Sequence, residues 1–329
     1  MLIPLTHHSR FVFELFLEGK VPFFYKPRVV NSITGTTLMP HTYTIGLASP
    51  QVYLVQDVGD YLEVEYDLEK LPLQKKIVPQ YQGYLVKLNQ YHQIDEYLLA
   101  QLSKRNRKNL FSKIHKLERE KDVTYQVFFG EITRVEYDAL FETFYELLKK
   151  RFDEKKLYNR HLERWEALYR STYPLLLEKK ASIFVIYDNL RPITITLNFH
   201  MGDVVFSHIQ TYDLNYRQYN MGDVSMLRHL EWCFENGMQV FDLSMGANPY
   251  KLKWCNHSYL LNYHIFYRSS SVLSVAITTF VTYKLRLMQF LRDKQVIGKL
   301  FSLERFIYPW KAKKLKKQFV ASEIGPSGD

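Results

Sequence analysis

Between residues 213 and 223 the chain reads Asp-Leu-Asn-Tyr-Arg-Gln-Tyr-Asn-Met-Gly-Asp, and a helical pattern with Leu227, Leu230 and Phe234 on its apolar face follows. A helix start offers unpaired backbone N–H groups and the positive end of the helix dipole. A loop that curls its amides inward in front of it completes an anion site. Arg217 adds a cation, and Gly222 allows close backbone approach at the helix start, which suits a pyrophosphate. One glycine before a helix also fits an ordinary turn, and Asp223 also fits a simple N-cap. The order of the surrounding elements has to decide. A second chemistry-bearing run follows a short buried strand, Val240–Leu243, which carries Asp242 into Ser244, Met245 and Gly246. Tyr250, Lys251, Lys253 and Trp254 come directly after it.

The elements that must position these residues are legible around them. Ser182–Tyr187, Ile193–His200 and Val204–Tyr212 read as a three-strand meander, with turns at Asp188-Asn189 and Met201-Gly202-Asp203 and Pro192 opening the second strand. The helix after Gly222 stops at Asn236-Gly237, as a glycine-terminated helix should. Tyr259–Tyr267 is a closing strand. Upstream, Leu110, Ile114 and Leu117 mark one face of a basic helix over 102–121, and Val123–Phe129 is a strand. Two long helices follow, with apolar stripes at Tyr137, Leu140, Phe141, Phe144 and Leu148 and at Leu162, Trp165, Leu168, Tyr169 and Leu176. Such stripes are core. Residues 1–100 are short, turn-punctuated and β-like: Val52–Val55 and Tyr61–Tyr66 around Gly59-Asp60 suggest a hairpin, and Tyr84–Leu88 another strand.

Bulk properties narrow the class. The chain has 329 residues and 47 % hydrophobic side chains, enough for a large core. Two cysteines, Cys233 and Cys255, make neither a disulfide framework nor a zinc site, and no metal is expected. The N-terminus does not read as a signal peptide, and the longest apolar stretch, Val272–Tyr283, is too short to span a bilayer, so the expected location is cytoplasmic. The net charge of +10 favours anionic partners. The positive charge concentrates in Lys104, Arg105, Arg107, Lys108, Lys113 and Lys116 and in the tail lysines 311–317. Val272–Tyr283 followed by Lys284 and Arg286 fits either a helix docked on the domain or a peripheral contact with the inner face of a membrane.

In sequence, residues 102–255 resemble the CelD/BcsL-like acetyltransferases of the GNAT superfamily. The resemblance rests on Leu102–Leu110, on Tyr212-Asp213-Leu214 through Gly222, and on Phe241-Asp242-Leu243-Ser244-Met245-Gly246 followed by Tyr250–Trp254. It implies an α/β (α+β) GNAT fold with a mixed, splayed central sheet. The implied organisation is a β-rich, GNAT-like N-terminal half at 1–100, the acyltransferase domain at 101–268 and a basic helical extension at 269–329. It also implies that the parallel strands Val204–Tyr212 and Val240–Leu243 diverge. The pantetheine arm of an acyl-CoA would pair with the edge of the first. The pyrophosphate would rest on Arg217, Gln218, Tyr219, Met221, Gly222 and Asp223. A backbone N–H near Ile209 or Gln210 would stabilise the oxyanion. The superfamily loop carries Gln or Arg and then two glycines or a glycine and an alanine. Here Tyr219 and Asn220 stand where a glycine is expected.

Within that resemblance Asp242 serves as base or orients the acceptor beside Gly246, Tyr250 protonates the leaving thiolate, and His208 is a further candidate base. Each also has a plain structural reading: a loop-capping carboxylate, a packed ring, a hydrogen-bonded strand histidine. Tyr250-Lys251 with Lys253 and Trp254 further resembles the signature of the Fem peptidyltransferases, in which Lys251 would hold a substrate phosphate or the donor. The implied function is acyl transfer from acyl-CoA, or from an acyl carrier protein, to an amine or hydroxyl of a small, anionic or envelope-related acceptor. The alternatives are aminoacyl transfer from tRNA and a degenerate scaffold that binds an anionic partner.

Overall fold

The computed structural model describes residues 6–43, 51–67, 72–156 and 158–294. In chain order the elements are β1 (Thr6–Arg10), α1 (Phe11–Glu18), β2 (Lys20–Pro22), β3 (Tyr25–Asn31), β4 (Thr37–Leu38), β5 (His41–Tyr43), β6 (Val52–Gly59), β7 (Leu62–Tyr66) and β8 (Gln74–Lys87). Then come α2 (Ile94–Gln101), α3 (Lys104–Glu120), β9 (Val123–Phe128), α4 (Arg134–Glu154), α5 (Arg160–Glu163) and α6 (Trp165–Leu177). The remainder are β10 (Ala181–Asp188), β11 (Arg191–Met201), β12 (Val204–Tyr212), a 3-10 turn at Leu214–Tyr219, α7 (Met221–Glu235), β13 (Val240–Met245), α8 (Pro249–Trp254), β14 (His257–Tyr267) and α9 (Val272–Asp293).

One mixed sheet of nine strands, in the order β1-β6-β14-β8-β13-β12-β11-β10-β9, organises the described residues. The meander β10–β12 forms because its strands alternate and its turns are tight; β-bulges interrupt the register at Ile186/Tyr187 and at Leu197/Asn198. Helices cover both faces of the sheet. On one lie α1, α4 and α6, through Phe11, Phe16, Tyr137, Phe141, Phe144 and Leu176. On the other lie α2, α3 and α7, through Tyr97, Leu110, Ile114, Leu117, Leu227 and Leu230. The start of α4 carries a complete capping box between Thr133 and Glu136, a contribution of about 1 kcal/mol. Where α7 crosses β11, the interface is polar: Asn198 contacts His229 and Ser182, and His200 contacts Ser182. Burial pushes His200 and His229 down to about 3, so both are neutral structural groups.

The hairpin expected from Val52–Val55 and Tyr61–Tyr66 does not form. β6 stays in the large sheet between β1 and β14, while β7 pairs with β3 in a separate three-stranded sheet. The parting has a local cause. Asp57 takes a left-handed conformation (φ 62°), the β6–β14 register shifts beside it, and the buried ring of Tyr61 turns under the large sheet. The strand read at Tyr84–Leu88 is the end of the 14-residue β8, which lies between β13 and β14.

Candidate functional site

β12 and β13 run parallel and pair at three positions only: Val204 with Val240, Val205 with Phe241, and Phe206 with Asp242. Beyond them the strands part. β12 remains on β11, where Tyr212 faces Thr194, and β13 remains on β8, where Met245 faces Gly83. Leu197 faces Ile209 and Asn198 faces Ser207, so His208 is the extra residue of a bulge that bends β12 away at this point. The Asp213 N–H bonds the Ile193 carbonyl. Antiparallel alternation then points the peptide groups of Thr211 and Ile209 at β11 and those of Tyr212 and Gln210 into the gap. Of the two oxyanion candidates, Gln210 therefore faces the gap and Ile209 does not.

Two side chains converge on that edge from opposite faces. Arg151, near the end of α4, donates to the Gln210 carbonyl at 2.9 Å, and its guanidinium lies 4.7 Å from the centre of the Tyr212 ring. Tyr250, on α8, donates to the Gly222 carbonyl at 3.0 Å. Burial raises the Tyr250 hydroxyl above its ordinary range, so it holds its proton at neutral pH. Burial also lowers Arg151, although a guanidinium stays charged throughout the physiological range. The sequence reading missed Arg151: a single cation near the end of an amphipathic helix carries no local signature.

The start of α7 forms the rim of the gap. Asn220 adopts the left-handed conformation (φ 55°, ψ 50°) and makes no side-chain cap, so it fills the backbone role for which a glycine was expected. At Gly222, an added Cβ would meet nothing nearer than the Tyr250 ring at 3.7 Å, so the backbone is approachable there. Asp223 is not an N-cap. Its carboxylate accepts from Lys253 Nζ at 2.6 Å and Trp254 Nε1 at 2.8 Å, which ties α7 to α8. Tyr219 and Met221 turn their side chains inward, and the Tyr219 hydroxyl donates to Glu120. Lys113 of α3 holds the Gln218 carbonyl, and Arg217 pairs with Glu154 at the exposed rim. The Asn220 N–H already bonds the Arg217 carbonyl, so the backbone amides of Met221 and Gly222, with Arg151 and the basic end of α3, are the groups suited to a phosphorylated thioester.

Asp242 lies beneath the opposite side of β13 and is fully buried. It accepts from Tyr61 at 2.9 Å, from Tyr259 at 2.8 Å and from the Ser244 N–H at 2.6 Å. Burial raises its carboxyl above the usual range, opposed by these hydrogen bonds and by Lys251. Lys251 donates to the Ser244 and Met245 carbonyls, and burial lowers it. The bend at the end of β13 needs left-handed backbone at Ser244 (φ 64°) and Gly246 (φ 89°), and the Gly246 N–H bonds the Gln82 carbonyl.

Two cavities lie on the α1 face. One, of about 190 Å³, is lined by Arg10, Asp57, Phe206, Ser244, Tyr259 and Tyr263. The other, of about 730 Å³, is lined by Arg10, Phe13, His161, Leu168 and His208 among others. Both include Arg10 and Phe13. The His208 ring packs edge-on to those of Phe13 and His161, so it belongs to this face and not to the Tyr250 side. Among the described residues, no group of three or more His, Cys, Asp or Glu side chains is placed to hold a metal.

Residues 104–252 match the family described as "Acetyltransferase (GNAT) domain". A search of curated proteins returns no match. Solved structures that resemble this one include FemX, at 10 % identity over 66 % of this chain and 72 % of that one, with a TM-score of 0.47. L-PGS from Bacillus licheniformis has 12 % identity over 71 % and 73 %, with a TM-score of 0.40. A tandem GNAT protein from the clavulanic acid biosynthesis pathway has 9 % identity over 65 % and 64 %, with a TM-score of 0.36. The match over 104–252 and the mixed central sheet together mark this segment of the chain as similar to a GNAT acetyltransferase domain.

Proposed function

We propose that the protein moves an acyl group from acyl-CoA to an amine or hydroxyl of a small anionic acceptor, in the manner of the CelD/BcsL-like acetyltransferases. The observation that carries this reading is the gap between β12 and β13, with the Gln210 peptide on its edge and Arg151 and Tyr250 reaching it from opposite faces. The donor lies along the free edge of β12, with its phosphates toward the amides of Met221 and Gly222, and its thioester carbonyl meets the Gln210 N–H. The acceptor enters from the α1 face, where Arg10 lines both cavities and suits an anionic group.

The acceptor's lone pair attacks the thioester carbon, the Gln210 N–H stabilises the oxyanion, and the C–S bond breaks. Tyr250 gives its proton to the departing thiolate and is restored by the proton the nucleophile sheds. Asp242 touches neither reactant. It positions Tyr259 and Ser244, which line the smaller cavity.

Titration of the full chain with acetyl-CoA and longer acyl-CoAs, followed calorimetrically, tests the donor. Wild type should bind at least one of them, and Arg151→Ala should weaken that binding about 10- to 100-fold, the range for losing a charge-assisted hydrogen bond. Absence of binding to every acyl-CoA, with binding to charged tRNA instead, would replace the thioester by an aminoacyl ester as donor.

A further inference from the structure

Helix α9 is oriented against the usual rule for a helix docked on a sheet. Its sheet-facing side combines Ile277, Val281 and Leu285 with the buried polar residues Ser274, Thr278 and Thr282. The hydroxyls of Thr278 and Thr282 have no hydrogen-bond partner. Its solvent side carries the larger apolar groups: Val272 is 87 % exposed, Phe280 and Tyr283 69 % each, Phe290 55 % and Leu273 51 %. At about 100° per residue these positions, with Leu287, fall on one continuous ridge. Lys284 borders the ridge on one side and Arg286 on the other, and the one acidic residue of α9 is Asp293, its last. No helix among the described residues is long and apolar enough to cross a membrane.

We propose that this ridge docks the protein on an anionic lipid bilayer, with α9 lying parallel to the membrane plane. An apolar strip flanked by cations is the pattern of an interfacial helix: the rings enter the headgroup–acyl boundary while the basic groups stay at the level of the lipid phosphates. The charge pattern also selects this occupant over a second copy of the chain. Two such ridges placed face to face would set cations against cations, with Asp293 at the far end of α9 the one acid on either helix. The inference rests on α9 alone and is independent of the donor and acceptor proposed above.

Flotation of the full-length protein with vesicles tests it. The protein should float with vesicles of equimolar phosphatidylcholine and phosphatidylglycerol, release as salt is raised, and stay behind with phosphatidylcholine alone. The double substitution Phe280→Ser/Phe290→Ser should cut partitioning by about tenfold or more. Lys284→Glu/Arg286→Glu should abolish the preference for the anionic vesicles. All four side chains project into solvent, so the thermal midpoint of each variant should match wild type and exclude misfolding as the cause. Three outcomes overturn the proposal. One is wild type that ignores both vesicles. Another is flotation indifferent to lipid charge and to both variants. The third is a concentration-dependent dimer, broken by the serine substitutions, which would make the second copy the occupant.

Discussion

The two edges of β13 behave differently, although one six-residue strand supplies both. Its β12 edge pairs at three positions and then parts, and its β8 edge pairs at Val240, Phe241 and Asp242 and again at Met245. The difference lies in what is buried beside each edge. On the β8 side Asp242 gathers Tyr61, Tyr259 and the Ser244 amide, and the Tyr259 ring presses on Gly83. On the β12 side a bulge at His208 bends the neighbouring strand, and the exposed peptides meet Arg151 instead of another strand. A parallel sheet can be opened at a chosen point when a polar cluster fixes one neighbour and a bulge removes the other.

The strongest way to break that comparison is Asp242→Ala. Three donors would lose their acceptor, at about 1–3 kcal/mol for each group left unsatisfied, and relaxation toward the adjoining cavity brings the expected loss to about 3–5 kcal/mol. Urea unfolding measures it. Asp242→Asn keeps an acceptor oxygen and should fall between wild type and alanine. An alanine variant as stable as wild type would show that the β8 edge is held by something other than this cluster.

A smaller effect is expected at Gly83. A Cβ there would sit 2.2 Å from the Tyr259 ring, closer than any real contact, so Gly83→Ala has to displace the ring from Asp242. Overpacking of this kind costs about 1–3 kcal/mol. The loss should shrink in the background Tyr259→Phe, which removes the hydroxyl and frees the ring to shift. An undiminished loss there would separate the steric role of Gly83 from the Asp242 cluster.

These residues also mark what the sequence made legible. The meander, α7 and the strand carrying Asp242 were readable because alternation, tight turns and a terminal glycine are local signals. So was the divergence of β12 from β13, through resemblance. The partners of Asp242 were not readable: Tyr61 and Tyr259 reach it from 181 and 17 residues away, and nothing in either local pattern marks a shared carboxylate. Arg151 was invisible for the same reason, being 59 residues from the strand edge it reaches. The hairpin at 52–66 failed because a left-handed Asp57 and a buried Tyr61 outweigh an alternating pattern that would otherwise close it. At Asn220 the motif named the wrong residue type but the right geometry: asparagine tolerates the left-handed region better than other non-glycine residues.

That last position gives the finest test of the open edge, because it separates backbone shape from side-chain chemistry. The Asn220 side chain makes no cap to α7, so replacing it by glycine removes no cap and keeps the left-handed turn. Asn220→Gly should therefore match wild-type stability within a few tenths of a kcal/mol. Asn220→Ala brings a Cβ into the left-handed region and should cost about 1 kcal/mol, read as a lower thermal midpoint. Affinity for the thioester should follow the same order, since the amides of Met221 and Gly222 that follow are aimed by this one residue's φ and ψ. If alanine and glycine behaved alike in both measurements, the chain would enter α7 by another route in solution. The anion site at the rim would then lose its geometric basis while the parting of β12 and β13 stood unchanged.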